Sequence, residues 1–332
     1  MQATSYLNFK NVGLTPAALP VVGDARAYGD FSRSGNLDLF TAELTYDPSR
    51  PLAQATPSQF KFWKVMSDGR FVQDADKLSS TAGCIHPRKA LTADFNGDGI
   101  ADVFVACHGY DGGTYPGEKS RLLLSQSNGT FLNQEVLDVG YWHGATAFDV
   151  NGDGFVDLML VNNNEAGRGV TYLNDGLGNF TREAGNRFPA FINSRGYYTI
   201  EAIDINADGK QDLVLGGLEF SNSSTLVLIN PGNANFSAVT SATLPVDATY
   251  GIVLDFAVTN AGPNPVLWTI RTQHANSYVG YALHKTELST LTGTRTASSA
   301  TGNWLRWIIP TTISGTNYIA SDRAADGLRF AY

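Results

Sequence analysis

The stretch that decides the fold is "TADFNGDGIADVFVA", residues 92–106. It places Asp94, Asn96, Asp98 and Asp102 at loop positions 1, 3, 5 and 9, with Gly99 at position 6. Oxygen ligands at alternate positions of a tight loop can turn inward on one hard cation, and calcium takes about 6–8 oxygens in flexible geometry. Helix–loop–helix calcium sites open with the same D-x-[DN]-x-[DN]-G pattern. Here the closing carboxylate arrives at position 9, and the apolar run "VFVA" that follows reads as a strand. The spacing therefore predicts a calcium loop joining two strands of a hairpin. The competing reading is a turn whose Asp and Asn side chains bond only their own backbone.

Nearly the same text returns as "AFDVNGDGFVDLMLV" (147–161) and "AIDINADGKQDLVLG" (202–216). The ligand sets are then Asp149, Asn151, Asp153 and Asp157, and Asp204, Asn206, Asp208 and Asp212. Three copies that keep all four ligands favour a bound ion over a chance polar turn. Their first aspartates recur every 55 residues, and self-similarity at such a period points to a propeller or solenoid. A weaker copy upstream keeps Asp30 and Asp38 but has Ser32 and Ser34 at the inner positions, a possible fourth, weak site. Between loops the text reads as two more strands, for example "RLLLSQSNG" then "TFLNQEVL". Four short strands per period describe a propeller blade.

The expected fold is all-β, one β-propeller domain over 1–332, with six blades beginning near residues 22, 86, 141, 196, 249 and 303. A seventh blade hidden in the longer first period is the alternative, but its extra length falls at "TYDPSRPLAQATP", which reads as a loop. The last blade runs out after three strands. Residues 5–14, "SYLNFKNVGL", are expected to complete it and close the ring, which removes open sheet edges.

These loops and their rhythm resemble FG-GAP/VCBS calcium-loop propeller repeats, as in integrin heads and many secreted bacterial proteins. The resemblance is specific over 86–217, weaker over 22–80 and only rhythmic beyond 245. It implies calcium held between the first and second strands of a blade by the twelve residues named above. Adhesion proteins, lectin-like modules and some polysaccharide lyases share these repeats, so the fold alone assigns no activity.

Composition agrees with a secreted β protein: 16% charged residues, 11% aromatic, and a net charge of −8. Three calcium ions would bring that charge to about −2, so the acidity reflects the loops. No basic run suggests nucleic acid, and no stretch reaches the length of a membrane span. The start "MQATSYLNFK" has no secretory apolar region, so a signal is expected to have been removed or omitted, and the chain can be a part of a larger surface protein. The four N-x-[ST] triplets, at Asn128, Asn179, Asn222 and Asn235, are of a kind that Asn-rich turns generate by chance. Cys84 and Cys107 are expected as two buried thiols: symmetric pairing about the loop sets Cys107 opposite Lys89, with Cys84 some five residues away, too far for a bridge unless 79–86 folds back.

In each blade the first strand runs toward the loop and the second returns, so their outer ends share the face opposite the metal. Strand starts there carry Arg26, Tyr28, His86, Arg88, Tyr141, Trp142, His143, Arg195, Tyr197, Tyr198, Tyr250, Trp304 and Arg306. Strand ends carry Glu43, Tyr46, His108, Tyr110, Asp111, Asn162 to Asn164, Glu165, Glu219, Arg271 and His274. Four of the five histidines fall on this face. Aromatic rings stack on sugars while Arg, His and carboxylates fix hydroxyl or uronate groups; the same residue types also cap cores. The expected ligand contacts are His86, Arg88, His108, Tyr110, Tyr141, Trp142, His143 and Tyr197, with the long Gly-rich loop "CHGYDGGTYPGEKS" beside them.

Two function classes follow. One is a calcium-stabilised extracellular module that binds a glycan or a cell-surface protein. The other is a polysaccharide lyase, in which His or Tyr takes the proton α to a uronate carboxyl while Arg or His neutralises it. Its candidates are His108, His143, Tyr141, Arg88 and Tyr198. A structural propeller domain is the third reading.

Overall fold

Val103, Phe104, Val105 and Ala106 are apolar on both faces of one strand and need cover on two sides. They obtain it from neighbouring sheets. Val103 and Val105 join Phe31, Phe40, Phe60 and Phe62 in one cluster, while Phe104 and Ala106 join Leu158, Leu160 and Tyr172 in another. The period of two splits this strand between two sheet–sheet interfaces. Truncating one such ring costs about 3–5 kcal/mol, so these interfaces dominate the core.

The computed structural model describes residues 24–45, 47, 49–163, 169–259, 264–275, 278–313, 315–322 and 328–332, the side chains of Thr312 and Ile313 excepted. Among them there is no α-helix, and no helix long and apolar enough to cross a membrane. Six antiparallel sheets follow one another, each with its strands in chain order, as the blades of a β-propeller.

Two compact units hold three blades each. In the first unit, blade 1 is β1 (Ala25–Gly29), β2 (Asp38–Ala42), β3 (Phe60–Val65) and β4 (Phe71–Gln73). Blade 2 is β5 (Pro87–Ala93), β6 (Asp102–Cys107), β7 (Glu118–Ser125) and β8 (Phe131–Gly140). Blade 3 is β9 (Trp142–Phe148), β10 (Asp157–Asn162), β11 (Gly169–Asn174) and β12 (Phe180–Arg182). In the second unit, blade 4 is β13 (Tyr197–Ile203), β14 (Asp212–Gly217), β15 (Leu226–Leu228) and β16 (Ala242–Thr243). Blade 5 is β17 (Ile252–Thr259), β18 (Val266–Thr272), β19 (Val279–Glu287) and β20 (Thr292–Asn303). Blade 6 has three strands, β21 (Ile308–Ile313), β22 (Thr316–Ser321) and β23 (Arg329–Ala331). The closing strand expected at 5–14 lies outside the described residues, as do Tyr46, Asn164 and Glu165. Residues 49–57 form a loop with one short 3-10 turn at Leu52–Gln54.

One irregularity repeats. The pairing of first and second strands slips between Pro87 and Lys89, between Trp142 and Gly144 (opposite Val161 and Asn162), between Tyr197 and Thr199, and between Val253 and Asp255. The skipped residues are Arg88, His143, Tyr198 and Leu254, each at the start of its blade's first strand. A β-bulge leaves its extra residue outside the ladder and re-aims the side chain.

The bulge at Arg88 also corrects the reading of the cysteines. It advances the register so that Cys107 faces Pro87 rather than Lys89. Residues before Cys84 then fold back along blade 1, with Gly83 N–H bonded to Ser58 O (2.9 Å) and Ser58 N–H to Cys84 O (2.7 Å). Gly83 permits this approach, because a Cβ there would lie 2.4 Å from the Phe60 ring. Cys84 and Cys107 are thereby brought to a Cα separation of 5.7 Å and form a disulfide. Bridging 23 residues of chain, it is worth about 3 kcal/mol in the chain-entropy account. The denatured, unreduced protein should therefore show no titratable thiol, and reductant should lower its urea midpoint. Two thiols per chain without reductant would contradict the bridge.

Candidate functional site

At one end of blades 2, 3 and 4 lies an aspartate loop. Asp94 accepts N–H bonds from Gly97 (2.7 Å), Asp98 (3.1 Å) and Gly99 (2.8 Å), and Asp98 accepts from Ile100 (2.8 Å). Gly99, Gly154 and Gly209 take φ of +83°, +91° and +83°, where a side chain would be strained. Asn96 Nδ2 donates to Asp98 Oδ2 at 3.2 Å, and the Asn151–Asp153 and Asn206–Asp208 pairs do the same. These are all oxygen donors of the kind a hard cation selects.

The position-9 aspartates have a further task. Asp102 is fully buried and accepts from Phe95 N–H (2.8 Å) and Ser125 N–H (2.7 Å). It thus ties the loop's entry to the end of β7. Asp157 ties Val150 to Asn174, and Asp212 ties Ile205 to Asn230, in the same way. In blade 1, Asp38 ties Ser32 to Val65 although the inner ligands there are serines. Burial, with a contribution from Asp98, pushes the Asp102 carboxyl up to about 7. Burial, with Asp153 and Asp149, pushes Asp157 up to about 6. Clustered like charges of this kind fit a cation. The loop carboxylates nonetheless stand wider apart than one tight set. Among the described residues, Cys84, Cys107 and Glu118 alone bring three potential ligand atoms within 4.8 Å of one another, and there the two sulfurs are bonded to each other.

The opposite end of blades 2 and 3 gathers most of the expected ligand face. The His86 and His108 rings lie 4.8 Å apart, and His108 and His143 5.0 Å apart. His108 packs on Tyr141 at 3.4 Å between centroids, and Tyr141 O–H donates to Asp111 at 2.6 Å. Arg88, aimed by its bulge, places Nη1 3.1 Å from His86 Nε2 and Nη2 3.5 Å from His143 Nδ1. Among the described residues no carboxylate pairs with Arg88. Tyr110 O–H donates to the Arg50 carbonyl and anchors the loop after β6. His108 is 2% exposed, and its Nδ1 has no hydrogen-bond partner among the described residues. Burial and then the Arg88 charge hold its pKa well below the usual imidazole value, so it is neutral at pH 7.

Glu118, which the sequence reading passed over, holds this cluster together. Its carboxylate accepts from Ile85 (2.9 Å), His86 (3.0 Å) and Gly109 (2.9 Å), gripping both chain segments that the disulfide joins. Burial raises its pKa.

Two expected contacts, Trp142 and Tyr197, lie elsewhere, as does the lyase candidate Tyr198. Trp142 packs into the core cluster with Leu158, Leu160 and Tyr172, because the bulge at His143 turns it to the side of Ala145 and Ala147. Tyr197 and Tyr198 belong to the second unit. Tyr197 is buried, and Tyr198 packs with Ile252, Leu254 and Trp268. In that unit the strand-end charges satisfy one another. Arg271 pairs with Glu219 in a buried bridge, and Asp247 receives Arg295 (2.6 Å) and His284 (2.9 Å). An exposed Phe220 ring stacks on His274 at 4.4 Å.

Comparison with known families matches the FG-GAP-like repeat to residues 94–160 and 149–215. No curated protein matches the sequence. Among solved structures, a "putative 6-phosphogluconolactonase" of Bacteroides uniformis ATCC 8492 aligns with a TM-score of 0.54 at 12% identity, over 92% of this chain and 80% of that one. A protein from Lactobacillus plantarum aligns with a TM-score of 0.50 at 11% identity, over 93% and 83%. At such identities the likeness concerns the fold. The chain is a six-bladed β-propeller with FG-GAP-like repeats running from its second blade into its fourth.

Proposed function

We propose that this protein is a calcium-stabilised extracellular binding module that takes a glycan bearing an acidic group at the end of blades 2 and 3 opposite the aspartate loops. Arg88 carries this reading. Its guanidinium is set between His86 and His143 with no acidic partner among the described residues, whereas Arg271 and Arg295 each have one. A guanidinium among rings, with no carboxylate beside it among the described residues, readily donates to a carboxylate or sulfate. The three loops would hold calcium through Asp94, Asn96 and Asp98 and their equivalents, with Asp102, Asp157 and Asp212 sharing their charge between metal and backbone. Calcium there would neutralise clustered carboxylates and stiffen the loop end of each blade. The disulfide suits an oxidising, extracellular setting.

A glycan array probed with wild-type and Arg88→Ala protein tests the reading. Wild type should retain acidic glycans, and the variant should lose them by tenfold or more, since a charge-assisted bond is worth about 1.5–3 kcal/mol. Equal retention by both, or none by wild type, would contradict it.

The neutral, partly unpartnered His108 beside Tyr141 and Arg88 also favours a second reading, a lyase. His108 would accept the C5 proton α to a uronate carboxylate that Arg88 neutralises. The electron pair left behind would form the C4=C5 double bond as the C4–O glycosidic bond breaks, the departing oxygen taking a proton from water. Incubation with acidic polysaccharides should then produce the absorbance of an unsaturated uronate. Binding without that signal favours the module.

A further inference from the structure

The rings of the cluster are nearly closed off from solvent: His86, His108, Tyr110, Tyr141 and His143 are all buried. A sugar could not lie flat on any of them. Tyr115 differs. It is 46% exposed and stands edge-on to Tyr141, with centroids 6.2 Å apart at 86°. It is thus the outer member of a run of contacts, Tyr115–Tyr141–His108–His143, that ends at Arg88.

Its backbone is unusual too. Tyr115 has φ +52°, the left-handed region that a bulky side chain rarely occupies, in a turn closed by its N–H to Gly112 O at 3.0 Å. Glycine would take that conformation without strain, and the same loop already uses glycine at 109, 112, 113 and 117. A tyrosine held there, largely in water, gains little burial to offset the strain. Strain retained at an exposed side chain is a mark of function.

We propose that Tyr115 is the stacking residue of this site, laying its ring against a pyranose of the same glycan whose acidic group reaches Arg88. This rests on the glycan reading above. Tyr115 and Arg88 then divide recognition: the ring reads a sugar face, and the guanidinium reads its charge. Neither contributes to the hydrophobic core, so variants at Tyr115 keep the fold.

The test uses calorimetric titration of the full chain, at constant calcium, with tetramers of galacturonate, mannuronate and guluronate. Tyr115→Phe should bind within about threefold of wild type, because the ring remains. Tyr115→Ala and Tyr115→Gly should each bind at least tenfold more weakly, while Tyr115→Gly melts at or above the wild-type temperature. That pairing of lost binding with retained or raised stability is what a merely structural tyrosine would not give. Wild-type affinity in Tyr115→Ala and Tyr115→Gly, with Arg88→Ala weakened, would overturn the role of Tyr115 and leave the glycan site standing. Failure of wild type to bind any of the three tetramers at millimolar concentration would overturn both.

Discussion

Addition of a calcium chelator is expected to lower the melting temperature markedly. Each intact loop sets three carboxylates on one short turn, and burial already disfavours the charged form of Asp102, Asp157 and Asp212. An ion that binds the folded state alone stabilises it by RT ln(1 + [L]/Kd), about 2.7 kcal/mol per site at a hundredfold excess over Kd. Three such sites approach the whole stability of an ordinary domain, about 5–15 kcal/mol. Elemental analysis should find three calcium ions per chain. Asp98→Ala and Asp153→Ala should each remove one. A melting curve indifferent to chelator, with no calcium in the protein, would remove calcium from the account.

The position-9 aspartates should behave differently from the inner ligands. Asp38→Ala leaves the N–H groups of Ser32 and Val65 without their acceptor, as Asp102→Ala does for Phe95 and Ser125. A buried donor left unsatisfied costs about 1–3 kcal/mol, so Asp102→Ala should lose several kcal/mol by urea unfolding, and Asp38→Ala, whose two donors are half-buried, should lose a smaller amount. Asp38→Ala should do so with no change in calcium content, since Ser32 and Ser34 bond each other at 3.1 Å and offer no inner carboxylate. Should Asp38→Ala unfold like wild type, the clasp between loop and third strand would not be what holds the blade end.

The loops, the period and the blade rhythm were legible because each rests on local spacing. Asp94 to Asp102 fold on one another within one turn, and the strands alternate with period two. The bulges were not legible. Arg88 and His143 sit in runs that read as unbroken strand, and the slip is visible only once both strands of the pair are placed. Two errors came from that one cause. Cys107 was placed two residues away from its true partner Pro87, which hid the disulfide, and Trp142 was put on the open face instead of in the core. The grip of Glu118 on Ile85, His86 and Gly109 spans more than thirty residues at its far end, and no local pattern announces it. A signal for the third-strand clasp was present, in Asn174 and Asn230 before the Gly-rich turns "DGLGN" and "PGNAN". Asn174 Oδ1 takes the N–H groups of Gly176 and Gly178, and Asn230 Oδ1 those of Gly232 and Ala234.

The central claim is a division of labour along each blade: the aspartate loops hold the fold, and the Arg88–His108–Tyr141 end meets the ligand. The most direct test compares, at saturating calcium, the affinity of folded Arg88→Ala and folded Asp98→Ala for an acidic glycan retained by wild type. The account predicts a loss of tenfold or more for Arg88→Ala and wild-type affinity for Asp98→Ala, whose missing carboxylate lies at the other end of β5 and β6. Abolished binding in Asp98→Ala with Arg88→Ala unaffected would contradict it and place recognition at the loops.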